Sequence, residues 1–412
     1  MIGEFWRRLA QNRLLDVAAV ALVTICVVQL SRVVPGRANQ DDFARYYISG
    51  HLLMEGRNPY TVELVPLYAS HGFVLPPGVQ IIRSTYPPLA VWLFALLAEF
   101  TPGAGFACWV TVEICSLAII LWQTKRLLGQ RLTKRSDLFV CAAALTSAPV
   151  YWHFIYSQIG LLLAALVLMA YAWHVEGKDT GACIAITIAG LMKVFPLVLL
   201  PWFLWRSEGS IRRRAVRAAV VAAVALLVVL ITGIPLWLDY VRYILPWLPT
   251  DSMGAYNVTF AAYVAKLGVI ASGVSPLSDD ARPWITAGCC VGLALIGLCY
   301  AMCLWTRSDP ETEFCLLCAA MLAGSIMTWV HGLVFLIFPM AVLGVRIARH
   351  PSWRGIILLS VILLLLNNVI TREGPFLDSH RFLKITVNDL PMFGLLGVVA
   401  FFAGQLRGSR PQ

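Results

Sequence analysis

The chain has 412 residues, of which 59% are hydrophobic and 13% are charged, and its formal net charge is +10. Because soluble globular domains carry roughly 25% charged residues, this composition excludes a soluble globule and indicates a polytopic helical membrane protein. The Lys and Arg residues stand in short clusters between apolar runs, as the positive-inside rule predicts for cytoplasmic loops. The charge therefore indicates membrane topology, and we expect no nucleic-acid partner.

The first apolar run extends from Leu14 to Val34 and is long enough to cross a bilayer. It has no small-x-small cleavage site, so we expect it to be kept as the first span rather than removed as a signal peptide. Residues 35–104 follow as a predicted outer loop with juxtamembrane helices. Within this loop the apolar run that begins at Tyr86-Pro87-Pro88 has about fifteen residues, which is short for a full span at about 1.5 Å per residue. We interpret it as a surface-lying or re-entrant helix.

Residues 39–60 form the densest polar and aromatic patch of the chain. Apolar and aromatic residues recur there at helical spacing, and Gly56 with Asn58-Pro59 marks the end. The pattern predicts an amphipathic helix at the membrane surface. Four polar residues share one face of it: Asp42, Arg45, Tyr46 and Ser49. The alternative is that these are solvated loop charges or helix caps.

The remaining apolar runs can be assigned to sides of the membrane by charge. If 86–100 stays outside, the next run crosses inward and brings the cluster between Lys125 and Arg135 to the cytoplasm. The run 181–205 contains Lys193 and, three residues on, Pro196, which predicts two shorter helices that turn at Lys193. Residues 237–283 are a second predicted outer loop. The prediction is a single integral membrane domain, 1–412, with about twelve spans and both termini in the cytoplasm.

With this topology, the polar residues that loop solvation explains poorly all fall on the outer side. They are Asp41, Asp42, Arg45, Tyr46, Tyr86, His153, Gln158, Lys193, Asn257, His331 and Arg372. Ionisable groups that converge on one membrane face indicate a functional site. Structural alternatives stay open for several of them: Lys193 as a snorkelling lysine, His331 as an interfacial histidine, and Asn257 as a cap or glycosylation acceptor.

These residues also carry a family resemblance. The motifs, in order, are Asp42-Phe43-x-x-Tyr46-Tyr47 leading to Gly56-x-x-Pro59-Tyr60, Tyr86-Pro87-Pro88, Ser157-Gln158-Ile159-Gly160-Leu161, Gly190-Leu191-Met192-Lys193-Val194-Phe195-Pro196, Asn257-Val258-Thr259 and Thr328-Trp329-Val330-His331. This series resembles glycosyltransferase family 87, whose members have the GT-C fold and are polyprenol-phosphate-mannose-dependent mannosyltransferases of bacteria. One departure is Ser157, where the family pattern usually has glycine before the glutamine.

The resemblance implies an all-α membrane enzyme of the GT-C fold in the bacterial inner membrane. It would move mannose, with inversion, from a polyprenyl-phosphate donor to the hydroxyl of a lipid or glycan acceptor on the periplasmic face. The implied catalytic residues are Asp42 as general base, Asp41 as its substitute, and His331. The implied donor phosphate ligands are Lys193, Arg45 and Arg372, and the implied substrate-binding residues are Tyr46, Tyr86, Gln158 and Asn257. We expect no metal and no cofactor, and membrane lipids as the surroundings.

Two other functions fit the same composition. The enzyme could transfer another sugar, such as arabinose, from a decaprenyl-type carrier, because the sequence does not distinguish between sugars. A multispan transporter or flippase of lipid-linked glycans is the alternative from another class. A transporter usually distributes polar residues along a path through the bilayer, often with repeated broken helices, whereas here the polar residues gather on one side.

Overall fold

The computed structural model describes residues 13–37, 41–74, 83–132, 134–207, 209–251, 253–254, 257–275, 278–306, 308–368 and 380–408. Over these ranges the ordered secondary structure is helical, apart from an antiparallel bridge between Asn257 and Trp329. The α-helices are α1 (Arg13–Val33), α2 (Asp41–Met54), α3 (Val65–Ser70), α4 (Pro88–Ala98), α5 (Pro102–Leu128), α6 (Lys134–Leu145), α7 (Ala148–Tyr156), α8 (Gly160–Val175), α9 (Asp179–Met192), α10 (Leu200–Arg206), α11 (Ile211–Thr232), α12 (Ile234–Asp239), α13 (Leu248–Asp251), α14 (Phe260–Ser272), α15 (Arg282–Thr306), α16 (Pro310–Gly324), α17 (Ile337–Arg349), α18 (Trp353–Leu366), α19 (Arg381–Asn388) and α20 (Leu390–Gly408).

Several of these helices are long and apolar enough to cross a membrane. Among the described residues there are 5 such segments, or up to 7 if the bent pairs α6–α7 and α19–α20 each count as one span. Further apolar helices of 10–17 residues accompany them. The chain is therefore a multi-pass helical membrane protein, while the prediction of about twelve spans stays a prediction.

Contacts between α-carbons divide the chain into two compact units, each made of separate sequence segments. The first, which we call the site unit, comprises Leu30–Gln123 and His153–Leu248. The second unit comprises Met1–Gln29, Thr124–Trp152 and Pro249–Gln412. Each unit has its own buried helices.

In the site unit, the juxtamembrane helix predicted from residues 39–60 is α2, and the predicted surface-lying helix is α4. The two helices pack against each other, and Gly50 makes the close approach possible. A β-carbon at this position would lie 2.5 Å from the backbone nitrogen of Ala95. The ring of Tyr46 stacks on the ring of Phe94 with centroids 4.1 Å apart, so an aromatic contact reinforces the same interface.

The predicted break at Lys193 is also present. Helix α9 ends at Met192, Lys193 takes an extended conformation with φ −157° and ψ 124°, and a 3-10 turn at Phe195–Leu199 leads into α10. Proline at position 196 stands in the first turn of this segment, where its missing N–H costs nothing. The chain therefore turns at a residue whose side chain is a cation.

Most of the predicted outer loop 237–283 belongs to the second unit, and it has more regular structure than a loop. It contains the 13-residue helix α14, whose N-terminus is capped by the Thr259 hydroxyl accepting a hydrogen bond from the Ala262 amide at 2.9 Å. Gly273, in the left-handed conformation at φ +68°, ends the helix. The surrounding prolines and polar residues favour a loop, whereas the capping residues at the two ends of α14 are local signals for a helix.

Candidate active site

The Asp42 side chain lies in the first turn of α2 and is 17% exposed. Its carboxylate is 3.9 Å from Nη2 of Arg45, one helical turn later. The side-chain amide of Gln158 donates a hydrogen bond to it, and the charge of Lys193 also acts on it. Burial raises the pKa of Asp42 above its usual range, while Arg45, Gln158 and Lys193 lower it in part. The group is thus a carboxyl with a raised pKa that three neighbours hold in place.

Two tyrosines extend this cluster. The Tyr46 hydroxyl donates to the Tyr86 hydroxyl at 2.7 Å, and the Tyr86 hydroxyl donates to Oε1 of Gln158 at 3.3 Å. Burial raises the pKa of both phenols, so both stay protonated at neutral pH. The chain of hydrogen bonds runs from Tyr46 through Tyr86 and Gln158 to Asp42. Because the Gln158 side-chain oxygen accepts from Tyr86, the NH2 end of the amide is the one that faces the carboxylate.

The two cations of the cluster come from different parts of the site unit. Arg45 belongs to α2, and its Nη1 donates to the Thr85 hydroxyl at 3.3 Å. Lys193 stands at the break after α9, with Nζ 5.8 Å from the ring centroid of Tyr86 and 5.8 Å from that of Phe195. The aromatic rings provide favourable faces for the ammonium group. Arg45 therefore lies beside the Asp42 carboxyl, and Lys193 is near enough for its charge to act on that carboxyl.

Tyr86 is held by the segment that follows α2. The Tyr60 hydroxyl donates to the backbone carbonyl of Tyr86 at 2.7 Å, and the Ser84 amide donates to the carbonyl of Pro59 at 3.2 Å. The Asn58 side-chain amide in turn donates to Oδ2 of Asp239 at 2.5 Å. Residues 58–60, which include the end of the predicted motif Gly56-x-x-Pro59-Tyr60, therefore anchor the connection before α4 that carries Tyr86.

Gln158 stands in a tight turn between α7 and α8. Ser157, just before it, has φ +51°, a left-handed conformation that favours glycine. The departure from glycine at this position thus places a strained serine beside the site. Next to the turn lie Glu113 of α5 and His153 of α7, which are buried and hydrogen-bonded to each other. Glu113 is not among the residues predicted from the sequence, although a carboxyl in a membrane-length apolar run is itself a signal of function.

In the second unit, Asn257 is buried and organises the segment before His331. Its Oδ1 accepts from the Thr328 amide at 3.1 Å and its Nδ2 donates to the Ile326 carbonyl at 3.1 Å. His331 is also buried, at 6% exposed, in the 3-10 segment Val330–Leu336. The backbone partners of Asn257 indicate a structural role. The substrate-binding role of Asn257 and the catalytic role of His331 stay predictions.

The second unit also contains a buried ion pair that the sequence did not predict. Nζ of Lys266 donates to Oδ1 of Asp389 at 2.8 Å and to the backbone carbonyl of Asn257 at 3.0 Å. Lys266 therefore links α14, on which it stands, to the α19–α20 junction and to the backbone at Asn257. The sequence signal for this pair is a lysine inside an apolar, helix-length run within the predicted outer loop 237–283.

Two predicted site residues cannot be placed further. The Asp41 side chain is outside the described part of the structure, although the Asp41 backbone begins α2. Arg372 lies outside the described residues altogether. Within the described ranges, the His, Cys, Asp and Glu side chains form no group of three or more suited to a metal ion. The roles of Asp41 and Arg372 and the expectation of a metal-free enzyme stay predictions.

The cluster of the site unit can do two things chemically. A carboxylate with a raised pKa accepts a proton more readily near neutral pH than an ordinary aspartate. An arginine and a lysine beside it can bind a phosphate and stabilise the negative charge that forms when phosphate leaves. Fold and site together define a multi-pass membrane protein with a partly buried carboxyl and two cationic side chains in one cluster.

Comparison with known proteins agrees with this class and makes it specific. Residues 85–330 match the model of glycosyltransferase family 87. That range covers more than half of the chain, so the chain belongs to glycosyltransferase family 87 and is a glycosyltransferase.

Two relatives carry the same descriptive name, polyprenol-phosphate-mannose-dependent alpha-(1-2)-phosphatidylinositol mannoside mannosyltransferase. The protein from Mycobacterium tuberculosis is 28% identical over 361 residues, which cover 82% of this chain and 78% of the relative. The protein from Mycolicibacterium smegmatis is 27% identical over 339 residues, 76% of this chain and 71% of the relative. Among solved structures, apo ArnT from Cupriavidus metallidurans matches with 17% identity and a TM-score of 0.33, over 94% of this chain and 78% of ArnT.

Proposed function

We propose that this glycosyltransferase transfers mannose from a polyprenyl-phosphate-mannose donor to a hydroxyl of a mannosylated lipid acceptor. Family membership and the names of the two mycobacterial relatives support the choice of sugar, carrier and acceptor class. The reaction takes place on the periplasmic face of the bacterial inner membrane, the side to which charge distribution assigns residues 35–104. The enzyme has the GT-C fold.

The reaction is a single displacement with inversion at the anomeric carbon. The acceptor oxygen forms a bond to that carbon while the bond from the carbon to the phosphate oxygen breaks, and its electron pair stays on the phosphate. Asp42 takes the proton of the acceptor hydroxyl. Arg45 and Lys193 bind the phosphate and stabilise its added negative charge. Tyr46, Tyr86 and Gln158 keep Asp42 oriented and shape the sugar site.

The observation that supports this proposal most directly is the composition of the cluster around Asp42. A partly buried carboxyl, hydrogen-bonded by Gln158, lies beside two cations from separate elements. Charged side chains at a membrane surface are usually solvated and scattered, whereas here they meet in one partly buried place. A base beside an anion site is what a hydroxyl attack on a sugar phosphate needs.

The test is product analysis with purified full-length protein in detergent or liposomes. The protein is incubated with radiolabelled polyprenyl-phosphate-mannose and, in parallel, with labelled decaprenyl-phosphate-arabinose, each with phosphatidylinositol mannosides and with a total membrane lipid extract. We expect label in a phosphatidylinositol mannoside product from the mannose donor. Transfer from the arabinose donor instead would contradict the sugar, and transfer into a different fraction of the extract would contradict the acceptor. An absence of product from both donors would contradict the proposed donor class.

A further inference from the structure

We propose that Glu113 and His153 are positioning residues for the reaction, because they hold the turn 157–159 in the conformation that sets Gln158 against Asp42. We call this turn the glutamine turn. Neither side chain takes part in the proposed displacement. The catalytic consequence of this inference rests on the proposed function, whereas the structural part does not.

Glu113 contacts both sides of the glutamine turn. Its carboxylate is hydrogen-bonded to Nε2 of His153, on the helix that leads into the turn. The backbone N–H groups of Leu161 and Leu162, in the first turn of the helix that leaves the turn, also act electrostatically on this carboxylate, whose Oε1 has no hydrogen-bond partner among the described residues. The residue before α8, Ile159, offers no side-chain cap, so the carboxylate of Glu113 lies where the positive end of the α8 dipole favours a negative charge.

A second contact from the same helix reaches the turn. Trp109 precedes Glu113 by four residues on α5, so the two side chains share one face. The Trp109 indole N–H donates to the Ser157 backbone carbonyl at 3.0 Å. The backbone N–H of Gln158 donates to the His153 backbone carbonyl at 3.3 Å. One face of α5 and the end of α7 thus hold the turn from outside.

The glutamine turn needs such contacts because its backbone is strained. Ser157 has φ +51°, and the left-handed conformation costs a residue with a β-carbon about 1–2 kcal/mol. A strained turn persists only where its surroundings over-determine it. If the contacts from α5 were lost, the turn would relax, and the Gln158 side chain would leave both Asp42 and Tyr86.

A contribution to folding stability is a poor explanation for the buried Glu113–His153 pair. The two side chains are 2% and 0% exposed, and Nδ1 of His153 has no hydrogen-bond partner among the described residues. Apolar residues of similar volume that replace a buried ionisable pair often leave stability unchanged or raise it. What the pair does provide is a fixed position for the turn that carries Gln158.

The test uses the full-length protein and two measurements. The variants are Glu113→Gln and the volume-matched double replacement Glu113→Met/His153→Phe. The control is Ser116→Ala, which removes a buried polar group of α5 whose hydroxyl donates within the helix to the Val112 carbonyl. The first measurement is hydrogen exchange of the amides of 157–162, and the second is the pH profile of kcat/KM for mannose transfer.

We expect exchange at 157–162 to be about tenfold faster or more in both variants, with the melting midpoint of the double variant unchanged or raised. We expect kcat to fall about tenfold or more with donor KM little changed. The acid limb of the profile should move to higher pH, because the Gln158 hydrogen bond lowers the pKa of Asp42. The control should behave as wild type in all measurements.

Unchanged exchange at 157–162 in both variants would overturn the structural part of the inference. Faster exchange with an unchanged rate and an unmoved acid limb would overturn the catalytic part. The exchange measurement needs no donor, so it decides whether Glu113 and His153 hold the turn even if the wild-type protein fails to transfer mannose. Failure of the proposed function is thus distinguishable from failure of this inference.

Discussion

At the scale of single residues, the pKa of Asp42 depends on burial and on the neighbouring charges and hydrogen bonds, which act in opposite directions. Burial raises the pKa of the carboxyl, and Arg45, Lys193 and the Gln158 side-chain amide lower it in part. A base works best when its pKa lies near the pH at which the enzyme operates, because it is then both ionised and able to take a proton. Under the proposed mechanism this balance suits Asp42 to take the acceptor proton, and it does so at some cost in stability, because folding raises the pKa of the carboxyl.

The raised pKa of Asp42 predicts the pH dependence of transfer. The ionised carboxylate is the active form, so kcat/KM falls as the pH drops through the pKa of Asp42. The acid limb should lie above about 3.9, the value of an unperturbed aspartate. In Gln158→Leu it should move to still higher pH, because a hydrogen bond that lowers the pKa is lost. An acid limb at the same pH in both proteins would show that Gln158 does not act on the base.

Lys193 is expected to act through the donor. In Lys193→Met, donor KM should rise about 10- to 100-fold, since a hydrogen bond to a charged group contributes about 1.5–3 kcal/mol. Acceptor KM should change little. The matched control is Lys178→Met, which removes a lysine that pairs with Glu176 on the α8–α9 connection. Donor titration of initial rates measures this, and an unchanged donor KM would remove the phosphate role of Lys193.

At the scale of elements, local pattern predicted the helices near the site well. The spacing of aromatic residues predicted α2, and the Lys193 to Pro196 interval predicted the break after α9. The i, i+3 rule also predicted that Asp42 and Arg45 share a face, and their side chains are 3.9 Å apart. What local pattern does not contain is contact between distant segments. Glu113, Lys266 and Asp389 each lie in apolar or loop-like surroundings, and their partners are many residues away.

The packing of α2 on α4 gives a prediction about stability. Gly50→Ala places a methyl group 2.5 Å from the Ala95 backbone nitrogen, and backbone atoms cannot move aside as a flexible side chain does. We expect the free energy of unfolding to fall by about 1–3 kcal/mol, the usual cost of overpacking. Gly297→Ala is the control, since it is also within a helix and has nothing within 4 Å of the added carbon. Denaturation in detergent that gives both variants the same stability would contradict this packing.

At the scale of the whole molecule, composition alone was enough to predict a polytopic helical membrane protein. The order of motifs predicted the family, which the match over residues 85–330 confirms. The number of spans was not predictable in the same way. Helices such as α4 and α9 have 11 and 14 residues, and length and hydropathy do not separate a short span from a re-entrant helix.

The predicted sidedness can be checked by labelling. In a variant without the native cysteines, Glu55→Cys marks the end of α2 and Gln130→Cys marks the connection after α5. We expect a membrane-impermeant maleimide added to the periplasmic side to label position 55 and to leave position 130 unlabelled until the membrane is opened. The two positions are both exposed at the surface of the chain, so accessibility of the side chain does not confound the comparison. The reverse pattern would overturn the topology.

The central claim is that the Asp42 carboxylate takes the acceptor proton, and single-turnover transfer by Asp42→Asn tests it most directly. Because burial raises the pKa of this carboxyl, the neutral amide should leave the melting midpoint unchanged or raised. General-base catalysis contributes about 10²- to 10⁴-fold, so the rate should fall by that factor at saturating donor, while Glu55→Gln, an exposed carboxylate just after α2, keeps the wild-type rate. A folded Asp42→Asn protein that transfers mannose as fast as the wild type would contradict the claim.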